Sequence, residues 1–187
     1  MSTLTFKRPT TSNFLPVSMT GARISMSPVD IRHADDILAE FTPDITRFMY
    51  PAPVENIKQV YDFIQRSRDE MTQNKALILA IQRKDDHEFL GVCGLHGNKK
   101  SATPELGIWI KKSAHGQKLG REAIHTLVNW AKAKLSIEAF HYPCDKDNVA
   151  SRKIADSLNG IIISEGIQQS MSGKTLNEIV YEISLST

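Results

Sequence analysis

Apolar positions along the chain recur with two periods, and the alternation of those periods sets out the elements. Over Asn56 to Gln73, Ile57, Val60, Tyr61, Ile64 and Met71 return mostly every three or four residues, which predicts a helix with one apolar face. A second helix is predicted over Leu119 to Leu135. There Ala123, Ile124, Leu127, Val128 and Ala131 share a face, while Arg121, Glu122, Lys132 and Lys134 lie mostly elsewhere. Shorter helices are expected after Pro28-Val29-Asp30, with Ile31, Ala34, Ile37, Leu38 and Phe41 on one side, and from Asn148 to Leu158. Between them the pattern changes to period two or to short apolar runs. Ala22 to Met26, Ala76 to Gln82, Phe89 to Leu95, Glu105 to Ile110, Ile137 to Tyr142, Ile161 to Ser164 and Asn177 to Leu185 therefore read as strands.

The order is strand, helix, helix, three strands, helix, strand, helix, strand, strand. It predicts an α+β fold, an α/β sandwich with a mixed and largely antiparallel sheet, because the central strands are joined by short polar turns at Arg83 to His87 and His96 to Thr103. Gly91 and Gly94 inside one strand suggest a bulge or a close backbone approach. Thr42 to Val54 holds three prolines, Pro43, Pro51 and Pro53, and reads as a loop with at most a turn of helix around Ile45 to Met49. At 187 residues one core is expected, with residues 1–19 as an extension and 20–187 as the domain. The Ser-, Thr- and Pro-rich extension is open between a loose tail and an added strand.

Composition narrows the class. A 41% hydrophobic and 24% charged chain is that of an ordinary soluble protein, and a net charge of +2 gives no broad basic face for nucleic acid. With no apolar run near the roughly 20 residues of a membrane span and no secretory leader pattern, a cytoplasmic location is expected. Cys93 and Cys144 have no metal-ligand spacing with each other or with a histidine pair, so buried thiols are expected, without disulfide or metal.

Candidate chemistry centres on Pro104 to Trp130, where an apolar strand runs through a basic, glycine-containing turn into a helix. The first N–H groups of a helix have no partner of their own and its dipole favours an anion there, so His115-Gly116-Gln117-Lys118-Leu119-Gly120 reads as a seat for pyrophosphate. Lys111, Lys112 and Lys118 would add positive charge. The turn is not a P-loop, since G-x-x-x-x-G-K-[ST] is missing. Nor is it the G-x-G-x-x-G turn of dinucleotide folds.

His115 to Gly120 resembles the Q/R-x-x-G-x-G/A acetyl-coenzyme A motif of the GNAT superfamily of N-acetyltransferases. The flanking residues look like its RimJ/RimL-like branch, the ribosomal-protein alanine N-acetyltransferases. Glu105-x-Gly107-x-Trp109, Gly116-Gln117-x-x-Gly120-x-Glu122-Ala123, and Asp147-Asn148-x-x-Ser151 followed by Asn159-Gly160 carry the similarity, which covers roughly Gly21 to Leu185. The chain departs from the motif at His115, where the family has Gln or Arg, and at Lys118, where it has the first Gly.

The resemblance implies acetyl transfer from acetyl-coenzyme A to a primary amine, a protein N-terminus or a small molecule, with no metal, by a monomer or homodimer. It implies a cofactor site made of Ile108, Trp109 and Ile110, the turn His115 to Gly120 with Leu119 and Arg121, and Asn148 and Ser151 at the next helix start. Glu105, Gly107 and Trp109 share one strand face, opposite Leu106, Ile108 and Ile110. Glu105 is thus the candidate base, against the plainer reading of an exposed strand glutamate. Many family members use a tyrosine further along the helix, where this chain has none. Ser151 is the candidate acid for the leaving thiolate, unless Asp147, Asn148 and Ser151 only cap the helix. Phe48, Met49 and Tyr50, with His96, are the candidates for the acceptor wall, core filling being the alternative for the first three. His141, like His96, ends a strand and could approach the cleft or be merely solvated. Two other classes compete: an acyl-coenzyme A binding sensor or interaction module of the same fold without turnover, and a flavodoxin-like nucleotide module. Antiparallel central strands argue against the latter.

Overall fold

The computed structural model describes residues 2–8, 12–98 and 102–185; part of the polar turn expected between His96 and Thr103 lies outside them. The strands are β1 (Met19–Thr20), β2 (Ile24–Pro28), β3 (Ala76–Arg83), β4 (Phe89–His96), β5 (Glu105–Ile110), β6 (Ala139–Asp145), β7 (Ile161–Gln169) and β8 (Thr175–Ser184). They form one sheet in the order β1-β2-β3-β4-β5-β6-β8-β7, antiparallel at every step except β5 with β6. The helices α1 (Ala34–Glu40) and α2 (Ile57–Thr72) cover one face, and α3 (Leu119–Lys134) and α4 (Val149–Asp156) cover the other.

Burial follows the periods. In α2 the stripe is Val60, Ile64, Ser67 and Met71, while Tyr61, expected in it, is 44% exposed. In α3 all of Leu119, Ala123, Ile124, Leu127, Val128 and Ala131 are buried. Gly91 resolves as a close approach: a Cβ there would sit 2.1 Å from the Trp109 carbonyl oxygen. The adjoining register of β3 on β4 shifts at Ile81/Gln82.

Of the N-terminal segment, the described residues 2–8 and 12–18 pack on the core as straps. Leu4 and Phe14 are buried, Phe6 bridges to Leu135, and the Phe14 ring meets Trp130 edge-on at 6.1 Å between centroids. Both thiols are buried and free. Burial pushes the Cys93 thiol up to about 12. Among the described residues no helix is long and apolar enough to cross a membrane.

Several strands differ from their sequence reading: β1 carries no alternation of its own, β2 lies two residues later, at Ile24–Pro28, and β8 begins two residues earlier, at Thr175. β6 begins two residues later, at Ala139, ends three residues later, at Asp145, and includes Pro143. β7 continues to Gln169, well past Ser164, because it is the sheet edge: eight of its nine residues are exposed, so it carries no burial pattern to read.

Candidate active site

The sheet opens between β5 and β6. Whereas β4 follows β5 from Gly91↔Ile110 to His96↔Glu105, β6 meets β5 at a single position, Glu105↔His141, anchored by the His141 N–H donating to the Pro104 carbonyl at 3.0 Å. A strand's N–H and C=O alternate sides, so Pro143, two residues beyond His141, turns its nitrogen toward the same gap. Proline has no hydrogen to donate there, and none is needed once β5 has diverged. Ile108, whose register partner Cys93 lies on the other side in β4, has no partner on β6 either.

Two helices begin beside this gap. α3 starts after the turn that follows β5, and the backbone N–H groups of Gly116 through Arg121 have no backbone acceptor among the described residues. The turn is held from outside by Arg23, just before β2, which donates to the Gln117 carbonyl at 3.1 Å and pairs with Glu122 at 2.9 Å. α4 starts after β6, capped by Asn148, whose Oδ1 accepts from the Ser151 N–H at 3.1 Å. The Ser151 hydroxyl lies 2.8 Å from the Tyr142 hydroxyl of β6.

The side chains of β5 divide as their alternation requires. Glu105, Gly107 and Trp109 face the α1 and α2 side, where Trp109 packs on Phe41 and Phe89 at 5.1 and 5.8 Å between ring centroids. Leu106 is buried, and Ile108 and Ile110 lie half-buried under the first turn of α3. Glu105 is half-buried; burial raises its carboxyl above the ordinary range, and the Glu178 charge on β8 raises it further. His96, its partner across β4, is held below the usual histidine range by burial, so it stays neutral near pH 7.

Residues 23–160 match the acetyltransferase (GNAT) domain. The chain belongs to this family of acetyl-coenzyme A dependent acyltransferases. The uncharacterized N-acetyltransferase p20 of Bacillus licheniformis is 23% identical over 140 residues, which is 73% of this chain and 78% of that protein. In fold this GNAT domain is similar to Mycobacterium smegmatis RimJ in complex with CoA-disulfide, with a TM-score of 0.78 at 15% identity over 92% of this chain and 90% of that one. It is also similar to RimL, a ribosomal L7/L12 alpha-N-protein acetyltransferase in complex with coenzyme A, with a TM-score of 0.77 at 16% identity over 90% and 98%.

The two departures from the GNAT turn have local causes. Lys118 is the N-cap of α3 and sits in the left-handed region at φ 61°, the backbone state that explains glycine at this position in the motif. His115 turns its Nε2 to the Ile110 carbonyl at 2.7 Å, closing the C-terminal end of β5 onto the turn. Gly116 takes φ 78° with open space where a Cβ would be. Gly120 has a different reason: a Cβ there would meet Ile110 at 3.3 Å and Ile108 and Ile154 at 3.6 Å, so it serves helix-on-sheet packing.

The positive charge expected from three lysines is smaller than the sequence suggests. Lys111 is buried and bonded to Glu88 at 2.8 Å, and Lys112 pairs with Asp44 at 2.9 Å. Lys118 and Arg121 make no ion pair among the described residues.

Of the acceptor-wall candidates, Phe48 lines a groove of about 480 Å³ together with Arg47, Asp145, Asp147, Lys174 and Asn177. Met49 is half-buried outside that lining. Tyr50 is 51% exposed and uses its carbonyl to accept the Met171 N–H at 2.8 Å, tying the loop to the β7–β8 hairpin. His141 lies 3.7 Å from Glu182, on the same sheet side as Glu105.

Sequence reasoning passed over Arg23, Tyr142 and Pro143. Only Pro143 left a signal, a proline inside a strand pattern, which marks an unpaired strand edge.

Proposed function

We propose that this protein is an N-acetyltransferase that acetylates a primary amine, either a protein N-terminus or a small molecule. The observation that carries the reading is the open gap between β5 and β6. Two helix starts flank it, that of α3 with free N–H groups and that of α4 capped by Asn148, and it lies between Glu105 on one sheet face and Ser151 on the other.

Bound acetyl-coenzyme A would supply an acetyl group already activated as a thioester. Six consecutive N–H groups from Gly116 to Arg121 fit a diphosphate, with Lys118 and Arg121 beside them. The side of Ile108 turned toward β6, which no strand pairs, fits an extended amide-bearing arm in the way an open sheet edge takes a strand. Glu105, with its raised pKa, takes the proton that the amine loses on acylation, directly or through water. Ser151 gives its hydroxyl hydrogen bond to the sulfur as the C–S bond breaks and the electron pair moves there. His96, neutral and opposite Glu105, and Phe48 in the groove would contact the acceptor.

The test pairs binding with chemistry. Acetyl-coenzyme A should raise the melting temperature, and mass spectrometry of amines and peptides with free N-termini should show an added acetyl group on one class. Binding without acetylation of any amine would identify a coenzyme A sensor instead. An absence of binding at millimolar concentration would remove the phosphate seat.

A further inference from the structure

Tyr142 and Ser151 carry two hydroxyl protons but share one hydrogen bond, and which of them donates decides what the serine can do. Tyr142 is 1% exposed on the β6 face turned toward α3 and α4, and among the described residues its hydroxyl meets the Ser151 hydroxyl. If Ser151 donated, a phenol O–H would be left buried without an acceptor, an arrangement that loses a full hydrogen bond to water with no return. If Tyr142 donates, its buried hydroxyl is satisfied and the serine's own proton is free to aim elsewhere.

We infer that Tyr142 is a positioning residue for acetyl transfer, donating its hydroxyl hydrogen to Ser151 Oγ so that the serine proton is turned toward the gap between β5 and β6. This rests on the reading of Ser151 as the donor to the leaving sulfur. Tyr142 holds its proton throughout: burial drives its ionisation far above the ordinary tyrosine range, so it orients and does not transfer. The other side of the serine is fixed as well, because its N–H is tied to Asn148 Oδ1. Cys144, on the same face of β6 as Tyr142, is kept as a neutral thiol by burial, which pushes it up to about 11. Its sulfur is at most a weak acceptor for the Ser151 hydroxyl, one that a departing thiolate would displace. The strand thus supplies the tyrosine that α4 lacks, in a supporting part.

Tyr142→Phe keeps the ring and removes the donor. With the amine found in the acceptor screen, kcat should fall about tenfold while the KM for acetyl-coenzyme A and the affinity for coenzyme A stay near wild type. In a Ser151→Ala background the same change should have no further effect on kcat, since nothing is left to orient. Equal losses in both backgrounds, or a kcat within twofold of wild type in the single variant, overturn the inference. Site-specific 3-fluorotyrosine at position 142 strengthens the donor and weakens the acceptor without altering the fold. It should keep kcat at or above wild type, and a loss beyond threefold would show that the serine donates instead. Full turnover in Ser151→Ala would remove the serine's role, and the tyrosine's with it. Full turnover in Tyr142→Phe alone leaves the serine's role standing.

Discussion

At the scale of single residues, Glu105 carries opposite demands from folding and from chemistry. Its carboxyl is raised first by burial and then by Glu178, so the fold prefers the protonated form. The stabilising contribution is therefore complete below the unfolded value of about 4.3 and is lost as pH rises through the folded value. Glu105→Gln resembles the protonated form at every pH. It should melt above wild type near pH 7 and match it at about pH 3.5, as thermal melts at the two pH values would show. The same variant should lose roughly a hundredfold to ten-thousandfold in kcat, the usual range for a positioned acid or base, with coenzyme A affinity unchanged. Since the base must be ionised, the acid limb of the wild-type pH–rate profile should lie above the ordinary glutamate range. Glu178→Gln, which removes the second cause of the shift, should move that limb to lower pH. A limb that stays in place would place Glu178 outside the site's electrostatics.

At the scale of elements, the turn before α3 shows how far the chain could be read in advance and where reading stops. The helix, its apolar stripe and the free amides at its start follow from spacing alone, as do β3, β4 and β5, whose apolar runs are continuous. The charge of the turn does not follow, because the partners of Lys111 and Lys112 are Glu88 and Asp44, distant in sequence. Nor does the packing role of Gly120, which depends on Ile154 of another helix. The Tyr142–Ser151 contact joins a strand to a helix through side chains that no period marks. Lys118 yields a prediction of its own. A left-handed backbone costs an ordinary residue about 1–2 kcal/mol, while glycine's extra unfolded-state freedom returns about 0.4–1 kcal/mol of that. Lys118→Gly should therefore raise stability by up to about 1 kcal/mol in denaturant melts, and Lys118→Ala should not. If the ammonium meets the diphosphate, both variants should weaken acetyl-coenzyme A binding at low salt and converge on wild type as salt is added.

For the molecule as a whole, the straps formed by the first described residues close the core at the end away from the gap. Phe14 is fully buried against Phe6 and Trp130, and its N–H donates to the Met71 carbonyl at 3.2 Å. Phe14→Ala should cost about 3–5 kcal/mol, read from the chemical-denaturation midpoint, with kcat retained in the fraction that stays folded. A change below about 1 kcal/mol would mean that its strap contributes little to the fold. The divergence of β5 from β6 has a mechanical meaning beyond the site it opens. Strands β1 to β5 and strands β6, β8 and β7 meet within the sheet only at Glu105 and His141, so the two parts are expected to open separately, like plates joined by one rivet. A molecule lying along the seam would act as a second rivet. In hydrogen exchange followed by mass spectrometry, coenzyme A should slow the amides of Ile108 and Ile110 directly. It should also bring β6 and β8 to the same exchange rates as β4, so that the sheet moves as one body only when its ligand is in place.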